Sequence, residues 1–100
     1  MSIYGIETED DCRKKIDELL EKARRIGKTM NKESVADLKA ELKRYFDLRN
    51  DKKMSAVDRT FFWAICEAYL RSPHLGRPQT WRTGLYEIEW KLKFMRPKEK

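Results

Sequence analysis

Basic side chains and one tryptophan are interleaved between residues 71 and 82 of this chain, in a stretch rich in Pro, Gly and Thr. A guanidinium group can hold two phosphate oxygens at once, and an exposed indole can stack on a nucleobase. The pattern therefore predicts a loop that contacts a nucleic-acid backbone. The alternative for the tryptophan is burial, because Trp side chains are usually well covered. The residues of this predicted contact are Arg71, His74, Arg77, Trp81 and Arg82.

A second group of cations falls at the end of the first predicted helix and consists of Lys22, Arg24, Arg25 and Lys28. Arg24, Arg25 and Lys28 of this group are the further residues of the predicted contact. Cations at a helix C-terminus also stabilise the helix dipole without any ligand, so two explanations remain open. If both groups bind nucleic acid, the binding is directed at phosphates, depends strongly on salt and does not read sequence.

Catalytic and metal-binding patterns are missing from the sequence. His74 is the single histidine, and Cys12 and Cys66 do not form a CxxC pair. Neither a nucleophile elbow nor a phosphate-binding glycine loop occurs. Glu67 lies within an apolar segment, where we expect it to pair with Arg71 four residues later. We therefore expect no enzyme activity, no cofactor and no metal.

The composition predicts one small domain over residues 1–100, with a frayed basic tail at 96–100. Lys and Arg number 23 against 17 acidic residues, which gives a net charge of +6, and 40% of the chain is charged. Such a charge permits binding to phosphates, but a solvated surface of Glu–Lys pairs accounts for it equally well. The longest apolar run, FFWAIC, is too short to cross a membrane. With two thiols and no visible leader, we expect a cytoplasmic protein.

Apolar residues at steps of three and four predict three helices, at about 9–26, 34–49 and 55–71. Their expected N-caps are Thr8, either Asn31 or Ser34, and Ser55 with Asp58 as its capping-box partner. Gly27 is the expected end of the first helix. The third helix is apolar around most of its circumference, which is typical of a central, buried helix. The first two helices carry only narrow apolar stripes, so a further element must cover the third.

Residues 85–95, LYEIEWKLKFM, alternate between apolar and charged side chains. This alternation favours a β-strand that pairs with residues 2–7, or with the same strand of a second copy. The order E-x-E-x-K-x-K is complementary in charge to its own reversal about Trp90. Read as a helix, the segment would instead have two separate apolar stripes. The strand would place five residues in a dimer interface, namely Tyr86, Ile88, Trp90, Leu92 and Phe94.

The sequence thus predicts a mainly α-helical domain with a three-helix core and one C-terminal β-strand. We expect a small, non-catalytic interaction module that forms a homodimer and contacts an anionic partner, chiefly a nucleic-acid backbone. The alternative is an accessory factor that binds only protein and whose positive charge is incidental.

Overall fold

A computed structural model describes residues 3–48 and 53–99 of the chain. Within these ranges the α-helices are α1 (Glu9–Thr29), α2 (Lys32–Asp47), α3 (Ala56–Tyr69) and α4 (Trp81–Met95). Two short 3₁₀ turns, Ser72–Gly76 and Pro78–Thr80, connect α3 to α4. The predicted helical core is confirmed. The predicted C-terminal β-strand is wrong, because residues 81–95 form a helix.

Side-chain caps begin the first three helices where the sequence predicts them. The Thr8 hydroxyl accepts a hydrogen bond from the Asp11 amide at 3.2 Å, and the Asp11 carboxylate accepts one from the Thr8 amide at 3.1 Å. Backbone amides of Glu7 and Thr8 lower the pKa of Asp11. Ser55 and Asp58 form the same reciprocal pair at 3.0 and 3.2 Å. Satisfying amides that lack a helical partner is what fixes these starts.

The turn between α1 and α2 differs from the prediction. Helix α1 continues through Gly27 and ends at Thr29, and Met30 adopts the left-handed conformation with φ 49°. Asn31 then caps α2, since its side-chain oxygen accepts from the Ser34 amide at 3.3 Å. Because Asn31 must be extended to act as a cap, the break falls directly before it and not at Gly27. The predicted end of the second helix, residue 49, lies outside the described residues.

The N-terminal segment fills the core instead of pairing with a strand. Residues 3–7 form a turn in which Gly5 has φ 73°, while Tyr4 and Ile6 are buried. The Tyr4 ring packs edge-on against Phe61 and Tyr45, with centroids 5.0 and 6.1 Å apart. Its hydroxyl donates to the Tyr45 carbonyl at 3.3 Å. The segment therefore ties α2 to α3.

Helix α3 lies at the centre of the domain and packs against α1, α2 and α4. Its inner face, formed by Phe61, Ala64, Ile65 and Ala68, is fully buried. The cover that the sequence analysis requires is supplied by α4. Burial of apolar surface on this scale is the main term that stabilises a small domain.

Helix α4 divides the five residues of the predicted strand interface between two faces. Ile88 and Leu92 are fully buried in the core, whereas Tyr86, Trp90 and Phe94 are exposed by 71%, 52% and 71%. Since Ile88 and Leu92 have the same buried role in a strand and in a helix, alternation alone does not separate the two. The groove between α1 and α3 favours the helix. A helix in this groove forms its own backbone hydrogen bonds, whereas a lone strand would leave its amides and carbonyls unpaired.

Candidate nucleic-acid interface

Arg71 is committed to internal ion pairs. Its guanidinium lies 3.0 Å from the Glu67 carboxylate and 4.0 Å from that of Glu87 on α4. It also donates to the Glu67 backbone carbonyl at 2.9 Å. The predicted Glu67–Arg71 pair is confirmed. Arg71 therefore joins α3 to α4, and a phosphate would have to compete with two carboxylates for it.

Trp81, the expected stacking residue, is partly buried and packs against the core. Its indole nitrogen donates to the Leu75 carbonyl at 3.0 Å. This bond fixes the first 3₁₀ turn to the start of α4. The alternative reading of Trp81 as a structural residue fits these contacts.

His74 and Arg77 are exposed on the connection between α3 and α4, and neither forms an ion pair with any residue in the described ranges. The His74 backbone carbonyl accepts a hydrogen bond from the Thr80 hydroxyl. The two side chains remain accessible, but they do not line the cleft that holds the other predicted cations.

The remaining four predicted cations meet in one cleft of about 550 Å³ between the end of α1 and the start of α4. This arrangement joins two groups that lie far apart in the sequence. Apolar and aromatic side chains form part of the wall, and two carboxylates reduce the positive charge. The lining residues that carry charge or an aromatic ring are Glu21, Arg24, Arg25, Lys28, Arg82, Tyr86 and Glu89.

The cations of the cleft differ in their availability. Arg24 is held by Glu89, with 2.8 Å between the guanidinium and the carboxylate. Arg25, Lys28 and Arg82 form no ion pair with a residue of 3–48 or 53–99, and Arg25 and Arg82 are exposed. Three free cations therefore face a shared space, and the Arg24–Glu89 pair joins its two walls.

Interaction with the helix dipole explains the positions of only some of these cations. Lys28 lies in the last turn of α1, where a cation is favourable. Arg82 is the second residue of α4, where the dipole disfavours a cation. No acidic residue occurs in the first turn of α4 to offset it. A bound anion would stabilise Arg82, whereas the fold by itself does not.

Lys22 shows what a structural cation looks like in the same helix. It bridges Asp37 at 2.6 Å and Glu41 at 2.9 Å, and so joins α1 to α2. Burial by itself would lower the pKa of Lys22, but the two hydrogen bonds outweigh it and raise that pKa. The hydrogen bond from Lys22 lowers the pKa of Asp37. Lys22 is therefore already neutralised, unlike Arg25 three residues later.

Sequence reasoning missed Tyr86, Glu21 and Glu89 as parts of this cleft. In the prediction from sequence, Tyr86 belongs to a dimer strand and Glu89 to the charges that pair across that strand, while Glu21 has no assigned role. Reading residues 85–95 with a helical period puts Tyr86 and Glu89 on adjoining faces at the start of α4. That is the signal that would have identified both.

Groups with other chemistry do not gather near the cleft. Cys12 is buried in the core, and this burial raises the pKa of its thiol to about 11. Among the residues that the structure describes, no three His, Cys, Asp or Glu side chains cluster as metal ligands would. In the same residues, no helix combines the length and the hydropathy needed to cross a membrane.

Comparison of the chain with protein-family models, curated proteins and solved structures gave no match.

Proposed function

We propose that this protein is a small, non-catalytic interaction module that binds an anionic partner, a nucleic-acid backbone, through the cleft between α1 and α4. The observation that carries the proposal is the convergence of Arg25, Lys28 and Arg82, three cations without a carboxylate partner in the described structure. Unpaired cations close together repel one another, so a phosphate between them relieves that repulsion. Arg82 gains most, since its position in α4 is electrostatically unfavourable.

The shape of the cleft favours a backbone over a base. Its walls rest on two helices, and the Arg24–Glu89 pair fixes their spacing at one point. The guanidinium groups of Arg25 and Arg82 and the ammonium of Lys28 are the groups of the wall available to contact phosphate oxygens. Contacts of this kind position a strand without reading its sequence. We therefore propose that binding is weakly selective and strongly dependent on salt.

Two further parts of the proposal concern the state of the protein. We propose that it self-associates through a surface that adjoins the cleft, and that it works in the cytoplasm. Cys12 and Cys66 form no disulfide in the described part of the chain, which suits a reducing compartment.

The test compares two charge-reversed variants of equal net charge. One carries Arg25→Glu and Arg82→Glu. The control carries Lys39→Glu and Arg59→Glu, which reverse exposed cations outside the cleft that likewise form no ion pair with a described residue. Binding of a fluorescent single-stranded oligonucleotide is measured by anisotropy over a series of salt concentrations.

We expect the cleft variant to bind on the order of tenfold or more weakly, with the slope of log K against log salt reduced by about 2. The control should keep most of the wild-type slope. Equal losses in the two variants would show that net charge alone governs binding, and the cleft would lose its assigned role.

The second candidate is an accessory factor that binds only protein. The exposed rings of Tyr86, Trp90 and Phe94 favour it, because aromatic residues are enriched at the centres of protein interfaces. Under this alternative no oligonucleotide binding is seen at physiological salt, in the wild type or in either variant.

A further inference from the structure

The outer face of α4 carries three aromatic rings one turn apart, and we call Tyr86, Trp90 and Phe94 the aromatic stripe. The Trp90 and Phe94 rings are stacked, with centroids 5.9 Å apart. The Lys91 ammonium lies 4.8 Å from the Trp90 centroid and is itself 3.4 Å from the Glu67 carboxylate. Neighbouring contacts thus hold Trp90 and Phe94 in place. Rings ordered in this way lose little side-chain entropy when a partner covers them.

The stripe is large enough to form the centre of an interface. At their observed exposures the three rings offer on the order of 400 Å² of surface. Trp63 and Leu70, exposed by 58% and 69%, lie within about one turn of Glu67 on α3, the helix whose Glu67 pairs with Lys91 beside the stripe. A dimer that covers all five side chains in both copies buries up to about 1,300 Å², which falls within the range of specific dimers.

We propose that the occupant of this surface is a second copy of the chain, with the two α4 helices antiparallel about a two-fold axis that passes beside Trp90. This inference rests on the self-association already proposed and specifies its surface and its geometry. In that arrangement Trp90 meets Trp90 of the partner subunit, and Tyr86 meets Phe94 of the partner subunit. The aromatic stripe is therefore complementary to itself.

The charges beside the stripe favour the antiparallel direction. A two-fold axis perpendicular to both helices brings the same flank of each helix together. On one flank Glu87 then lies about two residues, or roughly 3 Å, along the axis from the partner's Lys91. On the other flank Glu89 lies equally close to the partner's Lys93. Lys91 with the partner's Lys91, and Glu89 with the partner's Glu89, have the same spacing along the axis, but each like-charge pair occurs once and each opposite-charge pair twice. A parallel pair would set Glu87 beside the partner's Glu89 and Lys91 beside the partner's Lys93, and only the pair of Glu89 with the partner's Lys91 would attract.

The same symmetry brings the two binding clefts to one face of the dimer. The cleft lies on the flank of α4 that turns toward α1, because Glu89 on this flank pairs with Arg24. Equal flanks meet in the antiparallel dimer, so both clefts open on the same side. A single strand of nucleic acid can then contact both clefts at once. Such bivalent contact raises the affinity for a long strand without a new contact to either cleft.

The first experiment measures mass in solution by sedimentation over a range of protein concentrations, without nucleic acid. We expect the wild type to dimerise and Trp90→Glu to remain monomeric. Leu48→Glu is the matched control, since it places the same charge on another exposed apolar residue at the end of α2. Circular dichroism checks that each variant keeps its helices. A wild type that stays monomeric, or a Trp90→Glu variant that dimerises like the control, would overturn the proposal.

A second variant, Lys93→Glu, tests the direction of the helices. Lys93 is exposed, and in the antiparallel dimer this change replaces two attractions to Glu89 with two repulsions. We expect dimerisation to weaken by several-fold, up to about tenfold. In a parallel pair the same change removes a repulsion between Lys93 and the partner's Lys91, so tighter dimerisation would refute the antiparallel geometry.

Oligonucleotides of two lengths separate this inference from the proposed function. Monomeric Trp90→Glu should bind a strand that fills one cleft like the wild type, and should bind a strand long enough for both clefts at least about tenfold more weakly. Equal affinity of the two proteins for the long strand would disprove the shared face. Wild-type dimers that bind neither strand would instead contradict the proposed function and leave the aromatic interface standing.

Discussion

Two glycines allow the same substitution to test opposite expectations. Gly84 lies in α4 where that helix passes over the first 3₁₀ turn, and a Cβ atom there would be 2.8 Å from the Cβ of His74 and 3.1 Å from a methyl group of Leu75. Contacts between carbon atoms are normally 3.5–4.0 Å, so Gly84→Ala must push α4 and the turn apart. A Cβ atom on Gly27, within α1, would meet no atom within 4 Å.

The two effects can be given a size. Alanine is better than glycine in a helix by about 0.5–1 kcal/mol, so Gly27→Ala should raise the free energy of unfolding by that amount. Gly84→Ala has the same helical gain, but overpacking costs about 1–3 kcal/mol. We therefore expect a net loss of about 1–2 kcal/mol. For a domain of this size, 1 kcal/mol corresponds to a change of about 4–8 °C in Tm.

The assay is thermal and urea unfolding followed by circular dichroism at 222 nm, on the wild type and both variants. We expect Tm to rise in Gly27→Ala and to fall in Gly84→Ala, with the two variants separated by roughly 10 °C. If Gly84→Ala is as stable as Gly27→Ala, the close approach of α4 to the turn at His74 is not as described. The way in which α4 is seated on the core would then have to be revised.

Two further predictions concern stability. Burial raises the pKa of the Cys12 thiol from 9.0 to about 11, so the folded state keeps a proton that the unfolded chain releases. The free energy of unfolding should therefore fall by roughly 2–3 kcal/mol as the pH rises from 9 to 11. Urea unfolding of Cys12→Ala at each pH should lack this part of the slope. Parallel plots of unfolding free energy against pH for the wild type and Cys12→Ala would contradict the prediction. Asn31→Ala should lower the free energy of unfolding by about 1 kcal/mol because it removes the cap of α2, whereas Ser34→Ala should lower it little. If urea unfolding shows the larger loss in Ser34→Ala, the cap of α2 belongs to Ser34.

The sequence alone determined the first three helices and the starting points of α1 and α3, while for α2 it left Asn31 and Ser34 as alternative caps. Thr8 with Asp11, and Ser55 with Asp58, are capping pairs whose hydrogen bonds span only three residues. Such local bonds depend on the order of neighbouring residues and not on the rest of the fold. The Glu67–Arg71 pair is of the same kind, since its partners are one helical turn apart.

Tertiary structure decided the conformation of residues 85–95. Leu85, Ile88 and Leu92 fill the groove between α1 and α3, and the position of that groove is not written in the segment itself. An alternating pattern is compatible with both periods when the exposed positions of the helix are also aromatic. The end of α1 at Thr29 has a local cause instead, because Asn31 caps the next helix through bonds that span two and three residues.

The candidate cleft combines both kinds of information. Its cations could be selected from the sequence as basic groups, but their meeting could not, because Arg25 and Arg82 are brought together by the packing of α4 on α1. The packing of α4 also places Glu87 beside Arg71 and the Trp81 indole nitrogen beside the Leu75 carbonyl, so neither Arg71 nor Trp81 is free to bind an anion. Local chemistry thus determines which side chains can bind an anion, while long-range burial of apolar surface determines which of them remain free to do so.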